Sequence, residues 1–240
     1  SGIRMAAAAA WESEYGRRAA ILSVVLGTMA AILCVATAIQ KSSFIVFLLH
    51  PIAASAAFGG CMMWGVGAYY GSAASVPRVD RRSVHRRLNV AAAALLLVSA
   101  AAIVSNKVVQ GKSLVPRSFH GWAGLAVLAA VGVQVWSGLN KARALAAGAG
   151  RRHPWHGNLG VAVLVGGMTV MVLGAVLMRG ALDLVSGAAA ALAAGAVAAA
   201  VLSLWWGRQA GAAKAKAPES AARDDDTAGL VAGEDADAAV

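Results

Sequence analysis

Charged residues are scarce in this chain. Asp, Glu, Lys and Arg make up 13% of its 240 residues, whereas 59% are hydrophobic. A soluble globular domain carries about 25% charged residues, so this composition excludes an ordinary soluble fold. The alternating polar and apolar residues of a membrane β-barrel are also missing, and runs of Ala, Leu and Val take their place. Since about 20 apolar residues can cross a bilayer as a helix, we expect an all-α integral membrane protein.

Cysteine and acidic residues are few as well. The two cysteines, Cys34 and Cys61, both lie within apolar runs, which favours packing over a disulfide or a metal site. Eleven acidic residues face 21 basic ones, for a net charge of +10. The basic residues lie in short segments between apolar runs rather than in one patch, which is typical of membrane topology and not of nucleic-acid binding. Residues 1–16 have no apolar signal-peptide core.

Six apolar segments can be marked along the chain. They cover about residues 18–39, 45–71, 85–106, 119–140, 156–178 and 182–206. The short connections predict antiparallel neighbours in a compact six-helix bundle, with four central helices around any bound cofactor. We therefore divide the chain into an N-terminal segment (1–17), a membrane domain (18–206) and a disordered tail (207–240), which is rich in Ala, Gly and Asp.

The basic residues predict an orientation. Six crossings place both termini on one face of the membrane, called side A here, and most of the 21 basic residues fall on that side. The opposite face, side B, holds Lys41, Lys107, Lys112, Arg117 and Arg179. The positive-inside rule then predicts that side A and both termini face the cytoplasm, or the matrix or stroma of an organelle.

Four of the five histidines lie near the starts of the four middle spans. His50 and His120 are 70 residues apart and fall near side B, while His85 and His156 are 71 residues apart and fall near side A. This spacing indicates a two-helix hairpin that is repeated once. Such a repeat would bring His50 to His120 and His85 to His156, making one pair toward each membrane face.

A pair of facing histidines suits a b-type haem, which takes one axial imidazole from each side of its plane. Small residues around these positions, as in "FGG" at 58–60 and "HGNLG" at 156–160, would leave room for a flat macrocycle. The same residues also allow close helix packing. Two further interpretations stay open. The protein could be a metal transporter with zinc or copper at the histidines, or a scaffold subunit, with or without b haem, in a larger complex.

The fifth histidine, His153, competes with His156 for the side-A pair. His156 lies 36 residues after His120, close to the 35 between His50 and His85, whereas His153 would lie 33 after it. Pro154 suits a first helical turn and would leave His153 just outside the helix. We therefore predict His156 as the ligand and His153 as a neighbour at the membrane interface.

These motifs resemble the cytochrome b561 family over about residues 40–180. The shared features are His50-Pro51 early in the second helix and His85 at the start of the third. The fourth helix carries His120, Trp122, Gly124, Gln134 and Gly138, and the fifth opens with Pro154, His156 and Gly160. The segment "NKVVQGKS" is similar to the small, single-domain branch of the family. The resemblance implies six helices with two b haems (iron) held by His50, His120, His85 and His156, and electron transfer across a membrane.

The resemblance also implies ascorbate as the electron donor at side A. An ascorbate-dependent reductase would pass electrons to monodehydroascorbate or a ferric chelate at side B, and family members often form homodimers. Basic residues near the side-A histidines would attract the anionic donor, although each one could equally serve only to set the topology; they are Arg81, Arg82, Arg86, Arg87, Arg151 and Arg152. The candidates for an anionic acceptor at side B are Lys107, Lys112 and Arg117. The chain departs from many relatives in having Asn89 where they carry a second histidine.

Overall fold

A computed structural model describes residues 2–42, 44–71, 78–148, 153–179 and 184–216. Within these ranges the regular structure is entirely helical. The elements are α1 (Gly2–Lys41), α2 (Ile45–Ser55), a π-helix (Ala56–Met62), α3 (Met63–Gly71), α4 (Arg78–Val109), α5 (Phe119–Ala146), α6 (His156–Arg179) and α7 (Leu184–Lys216). Since α2, the π-helix and α3 form one continuous rod, the prediction of an all-α six-helix bundle is confirmed.

Each of the six rods contains a stretch that is long and apolar enough to cross a membrane. The second rod covers the predicted segment 45–71, and α6 begins at His156 as expected. At the two ends of the chain the helices exceed the predicted spans, because α1 starts at Gly2 and α7 continues to Lys216. The predicted boundaries after residues 17 and 206 therefore fall inside continuous helices. Residues 217–240 of the predicted tail lie outside the described residues.

The helices form two hairpins that are backed by the first and last helices. α2 packs on α4, α5 packs on α6, and α1 lies along α7 in the most extensive contact of the bundle. Buried alanines at helical spacing form the α7 side of the interior: Ala189, Ala193, Ala196 and Ala200. Small side chains let helix backbones approach closely, which is the usual basis of packing within a membrane. Many large apolar side chains point outward instead, including Ile32 and Leu97, as lipid-facing surfaces require.

The second rod contains a wider helical turn near its middle. Pro51 lies within α2, and the π-helix begins at Ala56. Proline removes one backbone donor from the helical hydrogen-bond ladder, and single-turn π-helices are often found at functional sites. The π-helix turns Gly59 against α1, where a Cβ atom on Gly59 would lie 2.6 Å from both the Gly27 carbonyl oxygen and the Ala31 Cβ. The rod can therefore approach α1 this closely only with glycine at residue 59.

The neighbouring glycine provides a matched control for this contact. A Cβ on Gly60 would meet no atom within 4 Å. We expect Gly59→Ala to lower the free energy of unfolding by about 1–3 kcal/mol, since a backbone carbonyl must move to admit the methyl group. Gly60→Ala should leave stability nearly unchanged. Thermal unfolding of the two variants, followed by tryptophan fluorescence, measures the difference, and equal midpoints would contradict the packing described here.

Candidate functional site

His50 and His120 lie close together at the side-B end of the bundle. Their ring centroids are 6.2 Å apart, and the ring planes are nearly perpendicular at 86°. His50 is in the first turns of α2 and His120 is the second residue of α5. The Ser118 hydroxyl caps α5 by accepting a hydrogen bond from the Gly121 amide, at 3.2 Å. The cap fixes the start of α5, and with it the level of His120 in the membrane.

Each ring of this pair is held from the Nδ1 side. His50 Nδ1 lies 3.2 Å from the Ser99 carbonyl oxygen and 2.9 Å from the Ser99 hydroxyl, which donates in turn to the His50 carbonyl at 3.0 Å. His120 Nδ1 lies 3.2 Å from the Val170 carbonyl oxygen. Gly174 is one turn further along α6, where a Cβ would lie 2.9 Å from His120 Cε1. Ser99 and Val170 are 71 residues apart, so the hairpin repeat includes the partners of the histidines.

At the side-A end, His85 is held by the second rod and by its own helix. Its Nδ1 lies 3.1 Å from the Gly65 carbonyl oxygen. The Asn89 amide group donates to the His85 carbonyl at 2.8 Å and lies 3.4 Å from its Nδ1. A Cβ on Gly65 would lie 2.8 Å from the Asn89 Nδ2. Asn89 therefore packs directly against His85.

His156 is held by two side chains of α5. Its Nδ1 lies 2.9 Å from the Ser137 hydroxyl, which donates to the Gln134 carbonyl at 3.0 Å. The Gln134 amide group donates to the His156 carbonyl at 2.9 Å. Two glycines make room for this contact. A Cβ on Gly138 would lie 3.0 Å from His156 Cε1, and a Cβ on Gly160 would lie 2.7 Å from Gln134 Nε2. His85 lies within electrostatic range of His156.

The hydrogen bonds assign the same tautomer to all four rings. A carbonyl oxygen can only accept, so Nδ1 must be the donor in His50, His85 and His120. The proton of the Ser137 hydroxyl is used on the Gln134 carbonyl, which leaves its oxygen to accept from His156 Nδ1. A neutral imidazole with its proton on Nδ1 presents Nε2 as the ligating nitrogen. Nε2 is therefore the nitrogen left to bind a metal in each ring, and in His156 the Gln134 amide nitrogen lies 3.5 Å from it.

The arrangement around the side-B pair fits a haem. Two imidazoles that bind one iron from opposite faces have ring centres about 6 Å apart, given metal–nitrogen bonds of about 2 Å; the observed separation is 6.2 Å. Among the described residues, the helices that carry each histidine pair do not pack closely on each other. Within these residues, α2 and α5 make no extensive backbone contact, and neither do α4 and α6. Nor do any three His, Cys, Asp or Glu side chains cluster as a metal site in the described part of the chain. This geometry suits two-histidine ligation better than a zinc site, which needs four ligands.

His153 lies in a different environment from His156. It precedes α6 and has a positive φ of 53°, which is uncommon for residues other than glycine, although asparagine, aspartate and histidine adopt it more often than most. Its ring lies between two indoles, at 5.1 Å from Trp136 and 5.3 Å from Trp155. Its carbonyl accepts a hydrogen bond from the His156 amide at 3.1 Å, which links the segment to the start of α6.

The candidate donor-binding arginines fall into three groups. Arg81 is half-buried and Arg82 exposed, both in the first turns of α4. Arg86 and Arg87 are exposed and line a groove on the outer surface, between α4 and α5. The remaining two candidates, Arg151 and Arg152, lie outside the described residues.

Lys141 was not among the predicted site residues. It is half-buried in α5 and lies close enough to His85 and His156 to interact electrostatically with both. Lys141 lies three residues after Gly138, which contacts His156. Because residues three apart share a helix face, this spacing could have indicated that Lys141 lies near the histidines.

At side B, the connection between α4 and α5 folds back on itself. The Lys107 ammonium group donates to the Leu114 carbonyl at 3.3 Å, and the Lys112 amide donates to the Lys107 carbonyl at 2.8 Å. Lys107 is therefore partly engaged in holding this connection. Lys112 and Arg117 are exposed, as an acceptor-binding role would require.

Comparison with known proteins bears on this geometry. The family model described as Eukaryotic cytochrome b561 matches residues 49–179, which is more than half of the chain and includes all four histidines of the two pairs. No curated protein matches the chain. The chain therefore belongs to the cytochrome b561 family, and it is a multi-pass transmembrane oxidoreductase of electron transport that binds b-type haem.

Proposed function

We propose that this protein carries electrons from ascorbate at side A to monodehydroascorbate or a ferric chelate at side B. In this proposal His50 and His120 hold one b haem, and His85 and His156 hold a second. The observation that carries it is the shared environment of the four rings, each of which is hydrogen-bonded at Nδ1 and presents Nε2. Side A is proposed to face the cytoplasm, or its organellar equivalent, with both termini.

A b haem held by each histidine pair would supply a one-electron couple of ferric and ferrous iron. The protein fixes the distance between the two pairs. Gly65, which holds His85, is 15 residues after His50 on the second rod, so the two levels are about 22 Å apart along the rod at 1.5 Å per residue. Buried apolar side chains occupy the space between these levels, including Phe58 and Met62. They exclude water from the interior, and no large movement of the helices is needed.

The chemistry at the two faces follows from charge. At side A, Lys141, Arg81 and Arg82 would attract and pair with the ascorbate monoanion. Ascorbate gives up one electron and one proton there and becomes the monodehydroascorbate radical. At side B, Lys112 and Arg117 would attract an anionic acceptor. Monodehydroascorbate gains one electron and one proton, or a ferric chelate gains one electron and becomes ferrous.

Lys141 provides a test of the donor site. We expect Lys141→Gln to raise the KM for ascorbate about tenfold, because a partly buried charged partner is lost from the anion site. The initial rate of haem reduction in purified protein, measured against ascorbate concentration, gives this constant. Lys41→Gln removes the same charge at the end of α1 and should leave KM unchanged. An unchanged KM in Lys141→Gln, or an equal rise in both variants, would contradict the proposed donor site.

A further inference from the structure

The outer surface of the bundle has a groove along the seam between α4 and α5. The groove is open to the surroundings, has a volume of about 490 Å³ and is lined by Arg86, Arg87, Val90, Ala91, Ala94 and Leu139. It forms because the two helices, although consecutive in sequence, pack mainly on other partners: α4 on α2, and α5 on α6. The small side chains of Ala91 and Ala94 then leave the space between the helices open.

The groove is separate from the histidine site. Successive residues of a helix are offset by about 100°, so Arg87 and Ala94 lie on the side of α4 opposite His85. His85 points toward α3, where it contacts the Gly65 carbonyl. Arg87 therefore faces away from the histidine site, while Arg86, about 100° around the helix from His85, is exposed at the side of α4.

The chemistry of the groove changes along its length. The two guanidinium groups lie at the side-A end, and its lining, as described, contains no acidic side chain. Below them the lining is wholly apolar, and the exposed face of α4 continues through Leu97 and Val98. From Arg86 to Val98 the helix rises about 18 Å, which is comparable to the length of a phospholipid acyl chain. A positive end at the membrane interface above an apolar channel matches an amphiphile with an anionic head.

We propose that the groove binds one anionic phospholipid of the side-A leaflet. Its phosphate pairs with Arg86 and Arg87, since guanidinium groups bind phosphate oxygens through paired hydrogen bonds. One acyl chain lies along Val90, Ala91 and Ala94 against Leu139 of α5. The bound lipid fills the seam that α4 and α5 leave open and joins the two histidine-bearing hairpins at this face.

Native mass spectrometry of the purified full-length protein tests this site. The protein is equilibrated with mixed micelles containing phosphatidylglycerol or phosphatidylcholine. We expect one retained phosphatidylglycerol and a weaker affinity for phosphatidylcholine. Arg86→Gln and Arg87→Gln should each weaken phosphatidylglycerol binding about fivefold. Ala94→Phe should also weaken it, by filling the channel. Arg18→Gln, which removes an exposed charge of α1 at the side-A end, should leave the affinity unchanged, because α1 makes no extensive contact with α4 or α5 in the described residues.

The b-haem content is measured in the same samples and should be the same in all variants, because the groove faces away from His85. Three results would overturn the proposal: equal affinity for the two lipids, an equal loss in Arg18→Gln, or unchanged binding in Ala94→Phe. A dimer that forms without lipid and is lost in Ala94→Phe would assign the groove to a second copy of the chain instead.

Discussion

Replacing His156 with alanine is expected to remove one of two haems from the protein, whereas His153→Ala should retain both. His156 is oriented from Nδ1 by the Ser137 hydroxyl, with Nε2 left as the ligating atom. His153 lies outside α6, with a strained backbone and its ring between Trp136 and Trp155. The haem-to-protein ratio, measured by the pyridine haemochrome absorbance of each purified variant, should halve in the first and stay constant in the second.

The two histidine substitutions are close controls for each other. Both lie in the same ten-residue stretch, and both substitutions remove one imidazole at the side-A end. A general loss of stability in this region would lower the ratio in both variants. The assignment would be refuted if His153→Ala lost a haem while His156→Ala kept two.

Gly138→Leu is expected to remove the side-A haem as completely as His156→Ala does. A Cβ at Gly138 would already lie 3.0 Å from His156 Cε1, and the larger leucine side chain would push the ring from its position. Gly132 lies six residues earlier in the same helix, where a Cβ would meet no atom within 4 Å. Gly132→Leu should therefore bind both haems, with stability changed by about 0.5 kcal/mol or less.

Haem content and midpoint potentials of the two glycine variants give the measurement. The side-B haem should keep its potential in both, since His50 and His120 are held by α4 and α6 and not by Gly138. Equal haem loss in the two variants would show that any bulky residue in α5 is harmful, and the specific contact with His156 would lose its support.

The sequence was sufficient for the architecture because its signals are long and redundant. Six apolar runs predict six spans, and four of the predicted boundaries, at residues 45, 71, 119 and 156, agree with the structure. The repeat spacing also predicted that His50 would meet His120, and the rings do lie 6.2 Å apart. Whether the four histidines bind haem is a separate question, which the substitutions above address.

Other features depend on helix packing, which hydrophobic periodicity does not encode. The Nδ1 partners of three rings are main-chain carbonyls, which any residue type would supply. The π-helix and the unequal surroundings of Gly59 and Gly60 also require the three-dimensional contact with α1. The outward direction of Arg87, by contrast, follows from its helical phase relative to His85. Distance along the chain from the histidines groups all the arginines together and does not separate them by helix face.

The reduced-minus-oxidised spectrum, together with the haem-to-protein ratio, shows whether four histidines hold two b haems. We expect a b-type spectrum with two haems per chain, one of which is lost in His50→Ala and the other in His85→Ala. A ratio of one haem per chain that falls to zero in either variant would contradict the assignment of two separate pairs. The absence of any b-type signal from the intact protein would contradict the account as a whole.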